Sequence, residues 1–118
     1  MIMTAAALGA VFEAGENVLT LVDGLQAAEF ERSRMTRHEV RRQLLSIANA
    51  LGILDEEARR RMPEIDWPAW AVIAAALRLQ PADIDATAWF CASALLPATL
   101  MWLQVYRRAE PSLFGYGA

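Results

Sequence analysis

The sequence has no lysine, only one histidine and only one cysteine among its 118 residues. A single cysteine excludes an internal disulfide, and Cys91 lies in an apolar run, where cysteine usually behaves as a small buried hydrophobic residue. Residues 1–12 are small and apolar, but they are not preceded by the basic residues that begin a secretory signal. These absences predict a protein of a reducing compartment, the cytoplasm.

A surplus of positive charge is also missing. The net charge is −3 and all eleven basic residues are arginine, so the field of the whole protein gives no attraction for nucleic acid. The six glycines show none of the spacings that cradle a phosphate group. We therefore expect neither a nucleic-acid partner nor a cofactor.

No segment alternates apolar and polar residues with the period of two that is typical of a strand. Apolar residues instead recur every three or four positions, as they do on one face of a helix. The sequence therefore predicts an all-α fold with four main helices in an antiparallel bundle and one or two short connecting helices. One domain is expected at 1–110, with a loose C-terminal tail at 111–118. The main helices are expected at 4–22, 36–51, 67–80 and 85–108, with short pieces at 27–33 and after Asp55.

Several predicted helices begin at residues that commonly cap helices. Thr36 and Glu39 have the spacing of a capping box, which predicts that a helix starts there. Asp55, Asp66 and Asp85 are each placed to cap one of the following helices. Because capping accounts for these aspartates, we predict no metal site.

Apolar residues are unusually abundant. They make up 56% of the chain, and the mean hydropathy is +0.24, so some apolar surface is expected to lie against a partner or a membrane. Residues 86–106 carry no charge and are long enough to cross a bilayer. Pro97 and several polar side chains interrupt this run, so we expect a helix covered by the rest of the domain and by a second subunit of a homodimer. Trp89, Phe90 and Trp102 are assigned to this core or dimer surface, and a membrane anchor is the alternative.

The arginines are most concentrated between residues 32 and 42. Glutamates interleave with them, which favours a solvated face held by ion pairs. The same face offers guanidinium groups to an acidic partner protein. The predicted partner-binding residues are Arg34, Arg37, Arg41 and Arg42.

No catalytic residue is predicted. RNA cleavage without a metal needs a group with a pKa near neutral and a cation for the phosphate. His38 is the only histidine, and it lies far along the sequence from Arg78. Cys91 has no activating base within sequence reach.

Four short motifs follow one another in a familiar order: Thr36-Arg37-His38-Glu39-Val40, then Arg59-Arg60-Arg61, then Pro63-Glu64-Ile65-Asp66-Trp67, then Asp83-Ile84-Asp85. In order and spacing, this series is similar to the HepT-like family of the HEPN superfamily. The resemblance implies a four-helix bundle that forms a dimer. It also implies descent from ribonuclease toxins that are paired with a nucleotidyltransferase antitoxin.

The residues that would carry ribonuclease activity in such a protein are absent. The family motif is an arginine followed, four to six residues later, by His-x-Tyr, and its counterparts here fall near Ala74, Leu79 and Pro81. The family's Gly-Glu-Ala in the second main helix is replaced by Ala48-Asn49-Ala50. The resemblance therefore implies a catalytically degenerate member.

The first hypothesis is accordingly a degenerate HepT-like protein that acts by protein–protein binding, in a toxin–antitoxin or phage-defence setting. Its partner would be a nucleotidyltransferase-type antitoxin or another acidic protein. Three alternatives stay open: a small membrane-associated protein anchored by residues 86–106, an inhibitor or adaptor from a mobile element, and an active ribonuclease toxin with an unrecognised site.

Overall fold

The structure, a computed structural model, describes residues 2–115. Over that range the chain is helical and contains no strand, which confirms the predicted all-α class. Its helices are α1 (Ile2–Val22), α2 (Ala27–Arg32), α3 (Arg34–Gly52), α4 (Glu56–Arg60), α5 (Trp67–Leu79) and α6 (Ile84–Ala109). A 3-10 turn, Pro111–Phe114, follows α6.

The core lies between the four longer helices. Helix α1 packs along α3, α3 packs against α5, and α6 contacts all three. At Gly15 of α1, an added Cβ would lie only 3.0 Å from both Cδ atoms of Leu100 in α6, so the absence of a side chain lets these two helices approach closely. Burial of apolar side chains drives this packing. The core side chains include Leu8, Val11, Val18, Val40, Leu44, Ile47, Leu51, Trp70, Ile73, Leu77, Leu96 and Leu103.

Helix α3 begins two residues before the predicted start. Its N-cap is Ser33, whose hydroxyl accepts a hydrogen bond from the backbone N–H of Thr36 at 3.4 Å. The predicted capping box of Thr36 and Glu39 is therefore wrong, because the Glu39 carboxylate accepts from the side chains of Arg42 and Gln43 instead. Ser33 is also the C-cap of α2, so this single residue joins α2 to α3.

Two of the three predicted aspartate caps are confirmed. Asp55 accepts from the backbone N–H of Ala58 at 2.8 Å, and Asp66 accepts from that of Ala69 at 3.1 Å. Asp85 does not cap α6, which begins at Ile84. Its carboxylate is drawn instead to the arginines of α3.

Helix α6 contains one π turn, Cys91–Leu95, in which the N–H of Leu96 bonds the carbonyl of Cys91 five residues earlier. Pro97 accounts for this turn. Proline has no N–H, and its ring clashes with the carbonyl four residues earlier, so the helix widens at this point. The uncharged run 86–106 is thus helical, as predicted, but one of its turns is a π turn and the rest is α-helix.

The chain beyond α6 is more ordered than the sequence predicts. Leu113 and Phe114 are buried, and the ring of Phe114 lies 6.1 Å from that of Phe12 in α1. The folded part therefore extends past the predicted boundary at residue 110, as far as Phe114. The last three residues of the predicted tail, 116–118, lie outside the described range.

Candidate functional site

The predicted arginine face is largely occupied by contacts within the chain. Asp85, at the start of α6, forms an ion pair with Arg37 Nε at 3.2 Å and accepts a hydrogen bond from a terminal nitrogen of Arg41 at 3.3 Å. Arg37 also donates to the backbone carbonyl of Glu31. These two arginines therefore hold α3 to α6, and their charge is shared with a carboxylate.

The other two predicted partner-binding arginines are more exposed. Arg42 forms an ion pair with Glu39 at 2.6 Å, and hydrogen bonds from Arg42 and Gln43 lower the pKa of Glu39 to about 2. Arg34 is exposed and has no carboxylate partner within residues 2–115. Of the four arginines, only Arg34 thus presents an uncompensated charge.

The three aromatic residues assigned to a core or dimer surface do not share one environment. Trp89 is half-buried against Phe30, with ring centroids 5.3 Å apart, and Trp102 is half-buried against Tyr106 at 6.1 Å. Phe90 is 54% exposed. The two tryptophans mainly fill the domain, whereas Phe90 is available to a partner.

Phe90 belongs to an exposed apolar face of α6. Met101 is 52% exposed and Val105 is 44% exposed. After the π turn, the exposed residues Ala98, Met101 and Val105 recur every three or four positions, so they lie on one side of the helix. Phe90 and Ala94 are exposed just before the turn and within it. We call these exposed apolar residues together the α6 face; its members are Phe90, Ala94, Ala98, Met101 and Val105.

Two helical segments are long and apolar enough to cross a membrane. They are Met3–Val22 and Ile84–Ala109, and 33% and 44% of their most apolar windows are buried within the protein. By length and composition, the core helices of soluble proteins and N-terminal signals pass the same test. These segments by themselves therefore leave the compartment open.

Cys91 and His38, the residues that the sequence offers for covalent or acid–base chemistry, do not line one cleft in the described part of the chain. Cys91 is buried, and burial raises the pKa of its thiol to about 12, so the thiolate needed for attack does not form near neutral pH. His38 is exposed and lines a shallow cleft with Arg41, Arg42 and Gln80. Within residues 2–115, no three histidine, cysteine or acidic side chains gather as a metal site would require.

The positions at which the resemblance places the ribonuclease motif hold no reactive group. Ala74 is 8% exposed and faces the core, and Leu79 is 80% exposed at the end of α5. Pro81 follows in the turn before α6. Nothing at these three positions can bind a phosphate or move a proton.

One cleft that the sequence does not predict lies between the end of α3, α4 and α5. It has a volume of about 240 Å³, and Trp67, Trp70, Arg59 and Arg78 line it together with small residues. From the sequence, Arg59 stands out only as part of the Arg59-Arg60-Arg61 motif, and Arg78 has no assigned role. One feature of the sequence could have indicated that Arg78 is available to a ligand: no acidic residue lies three or four positions away from it to form an ion pair along the helix.

Comparison of this chain with family models, with curated proteins and with solved structures finds no match. The similarity to the HepT-like family consequently rests on the sequence motifs alone and stays a prediction.

Proposed function

We propose that this chain is a non-catalytic protein-binding module: an antiparallel helical bundle that pairs with a second copy of itself through the α6 face. The observation that carries the proposal is the exposure of Phe90, Met101 and Val105 on a helix without charge from residue 86 to residue 106. Contiguous apolar surface of this kind typically marks a binding surface.

A second copy is the occupant that suits this surface best. A twofold dimer brings the same patch of each subunit together, so the patch must be able to face itself. The α6 face has no charged member, and pairing it with itself therefore leaves no charge buried without a partner. Its two alanines, Ala94 and Ala98, have small side chains, which allows two helices to approach closely.

We further propose that the module descends from HepT-like ribonuclease toxins and has kept partner binding while losing RNA cleavage. The absence of reactive groups at Ala74, Leu79 and Pro81 supports the loss. The retained motif order from Thr36 to Asp85 supports the descent. A nucleotidyltransferase-type antitoxin, or another acidic protein, is the heterologous partner this lineage implies, in a toxin–antitoxin or phage-defence system.

Matched methionine variants test the self-association. Met101→Glu places a charge on the α6 face, whereas Met35→Glu places the same charge at a residue that is 85% exposed at the start of α3. By light scattering after size-exclusion chromatography, we expect the wild type and Met35→Glu to be dimers and Met101→Glu to be a monomer. A monomeric wild type, or dissociation by both variants alike, would reject the α6 face as the interface.

Expression of the unfused chain in a bacterium tests the loss of activity. We expect normal growth and intact cellular RNA. RNA fragmentation that disappears on His38→Ala would instead identify an active ribonuclease that uses the only histidine.

An acidic partner that used the predicted arginine face would have to bind mainly through Arg34. Charge reversal at Arg37 or Arg41 would also break the contacts with Asp85, so loss of binding by those variants would be ambiguous. Arg34→Glu removes the uncompensated charge without touching an ion pair within the described chain, and capture of a purified nucleotidyltransferase partner should weaken. Unchanged capture would exclude the arginine face, including its use by an adaptor protein.

Membrane association is the second candidate function, favoured by the length and hydropathy of Met3–Val22 and Ile84–Ala109. The same apolar side of α6 would then contact lipid. Flotation of the purified chain with phosphatidylcholine vesicles distinguishes the two. A chain that is dimeric and stays with the soluble fraction supports protein binding, and a chain that requires detergent supports the membrane.

A further inference from the structure

The eleven arginines of this protein differ in what holds them. Five of them form ion pairs with carboxylates. Arg59 and Arg78 are different, because within residues 2–115 each is held only by a neutral acceptor: the carbonyl of Gly52 at 3.0 Å for Arg59, and the side-chain oxygen of Asn49 for Arg78. Both line the cleft between α3, α4 and α5, and no acidic side chain lines it with them.

The guanidinium of Arg59 is held in place more firmly than a surface arginine. Its central carbon lies 5.6 Å from the centroid of the Trp67 ring, a distance at which a cation is attracted to an aromatic face. Its Nε is buried and has no hydrogen-bond partner in the described part of the chain. A buried donor without an acceptor costs free energy, so an anion held close to this guanidinium would offset part of that cost.

The rest of the cleft is apolar, and the indole N–H groups of its two tryptophans already have hydrogen-bond acceptors. The indole N–H of Trp67 donates to the carbonyl of Met62 at 3.1 Å, and that of Trp70 donates to Thr99 Oγ1 at 3.0 Å. Neither indole N–H therefore needs a partner in the cleft. Trp70 is almost completely buried, so the half-buried ring of Trp67 is the aromatic carbon surface that the cleft offers. Ala71 and Ala74 also line the cleft, and their small side chains leave its interior open.

We infer that this cleft binds a small organic oxyanion, a carboxylate or phosphate group carried on a compact apolar body. The two guanidinium groups supply charge and forked donors, which match carboxylate and phosphate oxygens. The half-buried ring of Trp67 and the exposed Ala71 supply the surface for the apolar body. At about 240 Å³, the cleft is smaller than the pockets that hold drug-sized ligands, so the anion is small.

The first experiment titrates the ¹⁵N-labelled full chain with phenyl phosphate at physiological salt, where weak surface attraction is screened. The Nε–H signal of Arg59 and the indole N–H signal of Trp67 are followed by NMR. We expect both to shift together and to saturate, with a dissociation constant of about a millimolar or tighter. Failure of the Arg59 signal to shift, or shifts that never saturate, would overturn the assignment.

Two further probes separate charge from apolar surface. Inorganic phosphate carries the charge without the ring, and phenol carries the ring without the charge. We expect inorganic phosphate to bind more weakly than phenyl phosphate, benzoate to compete with phenyl phosphate, and phenol not to bind detectably. Equal binding of inorganic and phenyl phosphate would show that the apolar walls do not contribute and would contradict an organic ligand.

Variants locate the site. Arg78→Gln removes one cleft cation from an exposed position, and Ala71→Leu fills the cleft while leaving both arginines in place. Each is expected to weaken phenyl phosphate binding roughly tenfold or more, since a charge-assisted contact or the cavity itself is lost. Arg60→Gln is the matched control, because Arg60 lies beside Arg59 on α4 but is paired with Glu57. If Arg60→Gln weakened binding as much as Arg78→Gln, the effect would be one of net charge and the cleft would not be the site.

Arg59→Gln is the most direct variant but also the one most able to disturb folding. Its thermal unfolding is compared with that of the wild type before the titration. If Arg59→Gln does not fold, Arg78→Gln and Ala71→Leu decide the question by themselves. Undiminished binding in both would exclude the cleft.

Discussion

The indole Nε1 of Trp70 donates a hydrogen bond to the hydroxyl of Thr99 across 3.0 Å, and both residues are almost completely buried. The same hydroxyl donates to the carbonyl of Leu95 at 2.8 Å. This contact is the polar link between α5 and α6 inside an otherwise apolar region. It explains how two polar groups are tolerated in the core, because each satisfies the other.

Replacing Thr99 with valine tests this link. Thr99→Val keeps the shape but leaves the Trp70 N–H buried without an acceptor, and we expect it to lower the free energy of unfolding by about 1–3 kcal/mol. Urea denaturation provides the measurement. In a Trp70→Phe background no donor remains, so Thr99→Val should cost much less there. Equal costs in the two backgrounds would mean that the hydrogen bond contributes nothing.

The close approach of α1 to α6 gives a second prediction. Alanine favours a helix over glycine by about 1 kcal/mol, but at Gly15 the new methyl group would press on Leu100, and overpacking of a core costs about 1–3 kcal/mol. We therefore expect Gly15→Ala to be destabilising in thermal unfolding. Gly9→Ala is the control in the same helix, because a Cβ there meets nothing within 4 Å. That variant should be stabilising, and a gain in both would show that Leu100 moves aside freely.

The end of α5 contains local backbone strain. Gln80 is the C-cap and adopts a left-handed conformation with φ of 50°, which costs a residue with a side chain roughly 1 kcal/mol. Gln80→Gly is expected to raise the free energy of unfolding by about 0.5–1 kcal/mol, as measured in urea. Gln80→Ala should bring no such gain. A glycine variant no more stable than the alanine variant would show that the strain is compensated locally.

The pair between Arg61 and Glu110 predicts a pH dependence. Arg61 Nε and a terminal nitrogen donate to the two carboxylate oxygens at 3.1 and 2.7 Å, and this hydrogen bonding lowers the pKa of Glu110 below its ordinary value of 4.5. A carboxyl group with a lowered pKa stabilises the folded chain above the pKa it has when unfolded. That stabilisation is lost as the pH falls through its folded pKa.

The measurement is thermal unfolding of the wild type and Glu110→Gln at a series of pH values. We expect the wild type to be the more stable above pH 4.5, and the difference to shrink as the pH falls below that value. Arg61→Gln should likewise weaken the dependence of the unfolding temperature on pH below this value. Arg108→Gln, which changes an exposed arginine outside the pair, should not. A difference that stays constant down to low pH would contradict the pairing.

The helices of this chain are readable from its sequence, because their apolar residues repeat at helical spacing over long segments. The aspartates at 55 and 66 could be recognised as caps for a similar reason: the interaction is local, and it spans only three residues. The sequence predicts Thr36 and not Ser33 as the N-cap of α3, although both residue types can cap a helix. The choice depends on whether Glu39 bonds back to the helix start or forward to Arg42.

Features that depend on distant parts of the chain were not predictable in this way. Asp85 leaves its capping role for Arg37 and Arg41, which lie more than forty residues earlier in the sequence. Phe114 is ordered because it meets Phe12 of α1. The cleft beside Arg59 and Arg78 likewise depends on how α4 sits against α3 and α5, and no local pattern specifies that arrangement.

The π turn in α6 changes the angular phase of everything that follows it. One additional residue in a helix rotates the remainder by roughly 100° about the axis. Before the turn, α6 meets α2, α3 and α5, with Trp89 on Phe30 and Asp85 on the arginines of α3. After it, Thr99 meets α5 and Leu100 meets α1. The extra residue thus sets the direction in which the side chains after the turn point, so that both halves of one helix pack against their neighbours. An insertion or deletion in the turn would disrupt the contacts of one half of α6 and leave those of the other half in place.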